Sequence, residues 1–177
     1  MEELTIKPIA YIRNDFTEKF GIPRQGGLIP ELKAKIIFTA DYRDPEALRA
    51  IETYSHLWLI WGFSANKDRD FHQTVRLGVF ATRSPYRPNP LGLSVVLLDS
   101  VEKTAADGVV LHVSGADLLD GTPIYDIKPY LPYVDSYPEA IGGFTDQMNY
   151  AARKLSVEMS DELLEKIPSE KRASLLK

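Results

Sequence analysis

Between two apolar runs the chain carries a connection that few folds can accommodate: Arg83-Ser84-Pro85-Tyr86-Arg87-Pro88-Asn89-Pro90. A connection that only reverses the chain would use Asn-Gly or Asp-Gly, which accept positive φ. Here Pro85, Pro88 and Pro90 lock φ instead and push Ser84, Arg87 and Asn89 towards extended geometry. Arg83 and Arg87 therefore project from a stiff loop and lose little entropy on meeting a partner. The plain reading of such a loop is a rigid surface turn with two solvated arginines. The rest of the chain argues for more than that.

The flanking runs read as strands, and the hydrophobic pattern supplies further ones. Residues 5–13, 33–39, 55–63, 75–81, 91–98 and 109–114 are six strand candidates. Pro8 marks the first as an edge or a bulge. Residues 55–63 are apolar nearly throughout, the pattern of a strand covered on both faces. Ala106-Asp107-Gly108 reads as the turn of a hairpin, and Asp120-Gly121 with Pro123 as a tight turn. Asp44 and Pro45 have the chemistry of an N-cap and first helical position, opening a short helix whose Leu48 and Ile51 are buried. Six strands and one early helix predict a mainly β fold, an antiparallel β-barrel with irregular rim loops.

After Pro138 the character changes. Met148, Ala152 and Leu155 predict a helix over 145–155 with a narrow apolar face. Ser160-Asp161-Glu162 opens another, ending before Pro168. The expected organisation is a β-barrel domain over 1–138 and a short helical extension over 139–177. No Gly-x-Gly-x-x-Gly follows a strand, which argues against a dinucleotide-binding α/β domain.

Composition narrows the function. The 177 residues include no cysteine, which excludes disulfides and thiolate metal sites. No leader-like segment opens the chain, and its apolar runs are too short to span a bilayer, so a cytoplasmic protein without membrane contact is expected. A net charge of −4 argues against a general polyanion binder, yet residues 71–98 contain no acid and include Arg76, Arg83 and Arg87. His56 reads as a satisfied core histidine, while His72 and His112 stand alone, so no metal is expected. No Gly-x-Ser-x-Gly elbow supports a hydrolase. Trp58 and Trp61 read as core. Asp117, Asp120, Asp126 and Asp135 lie among Tyr125, Tyr130 and Tyr133, a mixture suited to a small ligand with positive charge and a flat ring.

Four motifs carry a resemblance: Phe20-Gly21-Ile22-Pro23-Arg24-Gln25; Ser55-His56-Leu57-Trp58; Val79-Phe80-Ala81-Thr82-Arg83-Ser84-Pro85 with Arg87-Pro88-Asn89-Pro90-Leu91-Gly92; and Asp117-Leu118-Leu119-Asp120-Gly121-Thr122-Pro123-Ile124-Tyr125-Asp126-Ile127-Lys128-Pro129-Tyr130. In this order, over residues 5–137, the chain resembles the TsaA/TrmO family of S-adenosylmethionine-dependent tRNA methyltransferases. The resemblance implies a β-barrel, a homodimer, and methylation of N6 of threonylcarbamoyl-adenosine in the anticodon loop of tRNA. The cofactor contacts it implies are Pro23, Arg24, Gln25, Arg83, Leu93, Ser114, Gly115, Ala116 and Asp117. It also implies Ser64, where this chain has Ser64-Ala65 and the family often has His-Gln.

The residues are chemically suited to those roles. Arg83 or Arg24 can pair with the cofactor's carboxylate, and backbone groups near Leu93 can read adenine. Asp126 is the candidate catalytic proton acceptor. A splayed-out base can stack on Tyr86 or Tyr125, with Arg76, Arg87 and Lys128 meeting phosphates. Two other readings remain open: the same fold and cofactor with a different RNA or small-molecule acceptor, and a non-catalytic barrel that binds RNA or a nucleotide.

Overall fold

Alternation of large inward and solvated outward side chains defines six strands. They are β1 (Ala10–Arg13), β2 (Lys33–Phe38), β3 (His56–Gly62), β4 (Leu91–Thr104), β5 (Gly108–Ser114) and β6 (Pro123–Pro129). The structure is a computed structural model that describes residues 3–18, 21–64, 77–147, 159–169 and 172. The chain divides into two units, Met1–Tyr130 and Leu131–Lys177.

In the first unit the strands join in a closed ring of antiparallel pairs, β1-β2-β5-β4-β3-β6, with β6 returning to β1 through Ala10 opposite Ile124. Closure leaves no unpaired sheet edge among these strands. Inside sit Ala10, Ile12, Ile36, Leu57, Leu59, Val96, Leu111, Val113 and Ile124, all at most 1% exposed. Two register shifts bend the ring, at Ile60/Trp61 against β6 and at Leu98/Ser100 against β5. The second lets β4 pair with β3 through its first half and with β5 through its second.

The strand count agrees with expectation but the membership differs. Val79–Ala81 is a single 3₁₀ turn, not a strand, closed by Ala81 N donating to Gly78 O at 2.9 Å. Residues 75 and 76 lie outside the described residues. The sixth strand is β6, whose Pro123 and Pro129 stand at its two ends, where a missing N–H is tolerated. β1 is shorter than predicted because Pro8 has no N–H to extend the ladder. β3 alternates between buried Leu57, Leu59 and Trp61 and half-buried His56, Trp58 and Ile60, so it is not covered equally on both faces.

Asp44 does cap the next element, its Oδ1 accepting from Glu46 N at 2.9 Å. That element is only one 3₁₀ turn, Pro45–Leu48, because Ala50 takes a left-handed φ of 68° and breaks the helical path. Leu48 and Ile51, expected to be buried, are half-buried and pack on the core from its edge. Gly108 closes the β4–β5 hairpin at φ 71°, the conformation that glycine accepts without steric cost.

The second unit contains two short α-helices among its described residues, α1 (Pro132–Asp135) and α2 (Asp161–Glu165), and a 3₁₀ helix over Gly143–Gln147. Asp135 accepts from Leu131 N at 2.8 Å across the first. Ser160 precedes the second, but its side chain makes no capping bond. Met148, Ala152 and Leu155 lie outside the described residues. Among the described residues no helix is long and apolar enough to cross a membrane.

Candidate functional site

The end of β3, the start of β4 and three connecting loops enclose a cleft of about 670 Å³. Its walls come from Ile22–Gln25, Trp61–Ser64, the Pro-rich loop and Asp117 with Leu119 and Thr122. That volume is in the range of roughly 300–1,000 Å³ typical of small-ligand pockets.

Packing of the loop over residues 21–30 explains its shape. Gly27 N donates to Gly115 O at 2.8 Å, and Gly115 N donates to Leu32 O at 2.9 Å. A Cβ on Gly26 would lie 3.1 Å from Val95 O and 3.4 Å from the Asp117 carboxylate, so only glycine lets the loop settle here freely. Arg83 then ties this loop to the Pro-rich one, Nη1 donating to Gln25 Oε1 at 2.7 Å. Arg87 Nη1 donates back to Thr82 O at 3.1 Å and so folds the Pro-rich loop on itself.

Asp117 is held from inside the ring. Trp61 Nε1 donates to Ser94 Oγ at 3.0 Å, and Ser94 Oγ donates to Asp117 Oδ1 at 2.6 Å. Burial pushes the Asp117 carboxyl above its ordinary value of 3.8. Hydrogen bonds from Ser94 and from the backbone of Gly26 and Asp117, together with the charge of Arg83, pull the other way without overcoming it.

Of the residues expected to meet a cofactor, Pro23, Arg24, Gln25, Ser64, Arg83, Leu93 and Asp117 all line this cleft. Ser114, Gly115 and Ala116 do not; they are 2% exposed or less, or buried, and support the 21–30 loop from beneath. Ser114 Oγ is engaged elsewhere, accepting from Lys33 Nζ at 2.6 Å and donating to Asp99 Oδ2 at 2.5 Å.

Asp117, Asp120 and Asp126 do not converge. Asp120 accepts from Arg13 Nη1 at 3.2 Å and Asn14 N at 3.0 Å, Asp126 pairs with Lys128 at 2.9 Å, and Asp135 caps α1. Only Asp117 lines the cleft. The expected proton acceptor Asp126 therefore stands apart from it, on β6, with Lys128. Tyr125 and Tyr130 are also apart in their contacts: Tyr125 fills the space beside Gly62, and Tyr130 packs 5.8 Å from Trp58 and 6.1 Å from His56. Arg87 lines the cleft and Tyr86 is half-buried beside it in sequence, while Arg76 lies outside the described residues.

Sequence reasoning missed the aromatic wall. Trp61 and Phe63 pack edge to face at 4.4 Å and both line the cleft. The available signal was Gly92: a Cβ there would overlap the Trp61 indole, so the glycine makes room for that ring.

A closed antiparallel ring whose strand ends and loops gather guanidinium, carboxylate and aromatic groups around one cleft defines a small-ligand-binding β protein. The chain belongs to the family of the tRNA-methyltransferase O N-terminal domain, which matches residues 11–136. It is 37% identical over 175 residues to an Escherichia coli (strain K12) protein named tRNA (adenine(37)-N6)-methyltransferase, covering 93% of this chain and 74% of that protein. It is 39% identical over 149 residues to an Archaeoglobus fulgidus protein named "Probable S-adenosyl-L-methionine-binding protein", covering 81% of this chain and 38% of the relative. A crystal structure of TrmO from Pseudomonas aeruginosa superposes with a TM-score of 0.68 at 44% identity, over 82% of this chain. The chain spans 64% of that solved chain, somewhat less than two thirds of its length.

Proposed function

We propose that this protein transfers a methyl group from S-adenosylmethionine to N6 of adenosine 37 in tRNA, the base beside the anticodon, when that base already carries a threonylcarbamoyl group. The observation that carries this reading is the placement of Arg24, Arg83 and Asp117 in one cleft with apolar walls, in a chain of this family.

The lining fits such a cofactor by the chemistry of its groups. Arg83, already oriented by Gln25, and the exposed Arg24 offer donors for a carboxylate. Asp117 offers an acceptor for ammonium or hydroxyl groups. Phe63, Leu91, Leu93 and Leu119 offer apolar surface for a flat ring. When bound, S-adenosylmethionine supplies a methyl carbon made electrophilic by its sulfonium sulfur. The N6–H of a carbamoylated adenine is more acidic than that of adenosine. The chain's task is therefore alignment for in-line attack more than strong base catalysis. Asp117 is the one carboxylate among the described residues lining the cleft.

An anticodon loop is single-stranded, so its base can leave the stack and enter a cleft of this size. Arg87 and Tyr86 on the Pro-rich loop are the assigned phosphate and stacking contacts. Lys128 and Tyr125 on β6 are secondary candidates, since Lys128 is already paired with Asp126. We take residues 1–138 as a barrel-type cofactor domain, which the family match over 11–136 supports. Residues 139–177 are taken as its extension, and the cytoplasm as its place of action.

We also assign a homodimer. Leu97, 37% exposed on the outer face of β4 beyond the cleft-lining Leu91 and Leu93, offers apolar surface to a second copy. Sedimentation equilibrium showing only monomer at micromolar concentration would remove that assignment.

The deciding experiment incubates the purified chain with S-adenosylmethionine and tRNA from cells lacking the activity, followed by mass spectrometry of the nucleosides. A gain of one methyl on threonylcarbamoyl-adenosine supports the reading. Cofactor binding without methylated tRNA points to another acceptor, and no cofactor binding points to a non-catalytic barrel.

A further inference from the structure

We propose that Ser94 is the positioning residue of the cleft: its hydroxyl, directed by Trp61, holds the Asp117 carboxylate as an ionised acceptor aimed at the cofactor. This inference rests on the cofactor reading above and concerns a residue that no motif singled out.

Ser94 is 3% exposed and points into the ring from β4, opposite Leu59 of β3. An inward polar side chain among Leu57, Leu59 and Val96 is costly unless each of its hydrogen-bonding groups is used. The direction of one bond is fixed by chemistry. The Trp61 indole can only donate, so its bond at 3.0 Å occupies an acceptor site on Ser94 Oγ. The single hydroxyl proton is donated to Asp117 Oδ1, 2.6 Å away. A hydroxyl that must donate favours a carboxylate that can only accept, which is the ionised form.

The other groups facing Asp117 agree with this. From the 21–30 loop comes the Gly26 N–H, and from the Pro-rich loop the Arg83 guanidinium. The remaining charged groups of the described cleft lining are Arg24 and Arg87. Guanidiniums stay charged, so among the described lining residues Asp117 alone changes its charge with pH. Ser94 is thus the neutral group through which the protein core sets that titration.

The test has two readouts. Carboxyl carbon NMR of the cofactor-free chain follows the titration of Asp117 directly. Ser94→Ala is expected to raise its midpoint by about one pH unit, the effect of losing one hydrogen bond to a charged group. Trp61→Phe leaves the hydroxyl in place but undirected, and is expected to raise the midpoint by less. This second variant also serves if Ser94→Ala does not fold. Calorimetric affinity for S-adenosylmethionine against pH should show the same displacement, with up to about tenfold loss for Ser94→Ala within the shifted interval. Asp117→Asn should remove that pH dependence altogether.

An Asp117 midpoint unchanged in both Ser94→Ala and Trp61→Phe overturns the proposal. So does a shifted midpoint that the cofactor affinity ignores. Failure of the tRNA reading looks different: both shifts occur, and wild-type protein still methylates no tRNA nucleoside.

Discussion

Gly92→Ala tests how tightly the aromatic wall of the cleft is packed. A Cβ at Gly92 would fall within contact distance of three indole atoms of Trp61, one of them 2.7 Å away and two nearer still. The indole cannot simply swing aside. Trp61 is 8% exposed, its Nε1 is bonded to Ser94, and its ring packs against Phe63. Overpacking of this kind costs about 1–3 kcal/mol, and losing the indole hydrogen bond adds about 1 kcal/mol, so roughly 2–4 kcal/mol is expected. For a domain of this size that corresponds to a Tm lower by about 4–16 °C. Urea denaturation followed by tryptophan fluorescence would show a lower midpoint at unchanged slope. Gly78→Ala is the control, since Gly78 has φ −62° and nothing within 4 Å of an added Cβ. Its change should lie within about 1 kcal/mol of wild type. Equal stability of the two variants would refute the claim that Gly92 is there to admit the indole.

Arg83→Ala should weaken S-adenosylmethionine binding by about 1.5–3 kcal/mol, the range of a hydrogen bond to a charged group, and unchanged calorimetric affinity would remove Arg83 from the site. Arg87→Ala should lower tRNA affinity and reduce its log–log salt slope by roughly 0.7, one single-strand phosphate contact; an unaltered slope would place Arg87 off the RNA. Asp117→Asn bears on stability as well as binding. Because burial raises the folded carboxyl above 3.8, wild type should lose stability relative to this variant as pH rises from 3.8 through the folded value. Denaturation at pH 4 and pH 7 measures the gap, and a gap independent of pH would contradict the assigned burial cost.

Much of this protein is written locally. Proline fixes backbone wherever it stands, so the stiffness of the 83–90 loop and the short reach of β1 follow from Pro85, Pro88, Pro90 and Pro8 alone. Asp44 caps a turn through its own neighbour Glu46 N, and Gly108 turns a hairpin through its own φ. The four family motifs likewise identify Pro23, Arg24, Gln25, Arg83 and Asp117, which the fold gathers into one cleft.

What the sequence left open depends on partners distant along the chain. Residues 91–98 read as a strand but do not say which face is inward; Leu91, Leu93 and Leu97 face outwards while Gly92, Ser94 and Val96 face in. A strand has two faces of equal periodicity, and which one is buried is set by the neighbouring strand. Here Trp61 on β3 fills the interior, so β4 must present a glycine to its ring and a hydroxyl to its N–H. The same holds for the aspartates. Asp117, Asp120 and Asp126 lie within ten positions of each other, but only tertiary pairing gives Asp120 to Arg13, Asp126 to Lys128, and Asp117 to the cleft.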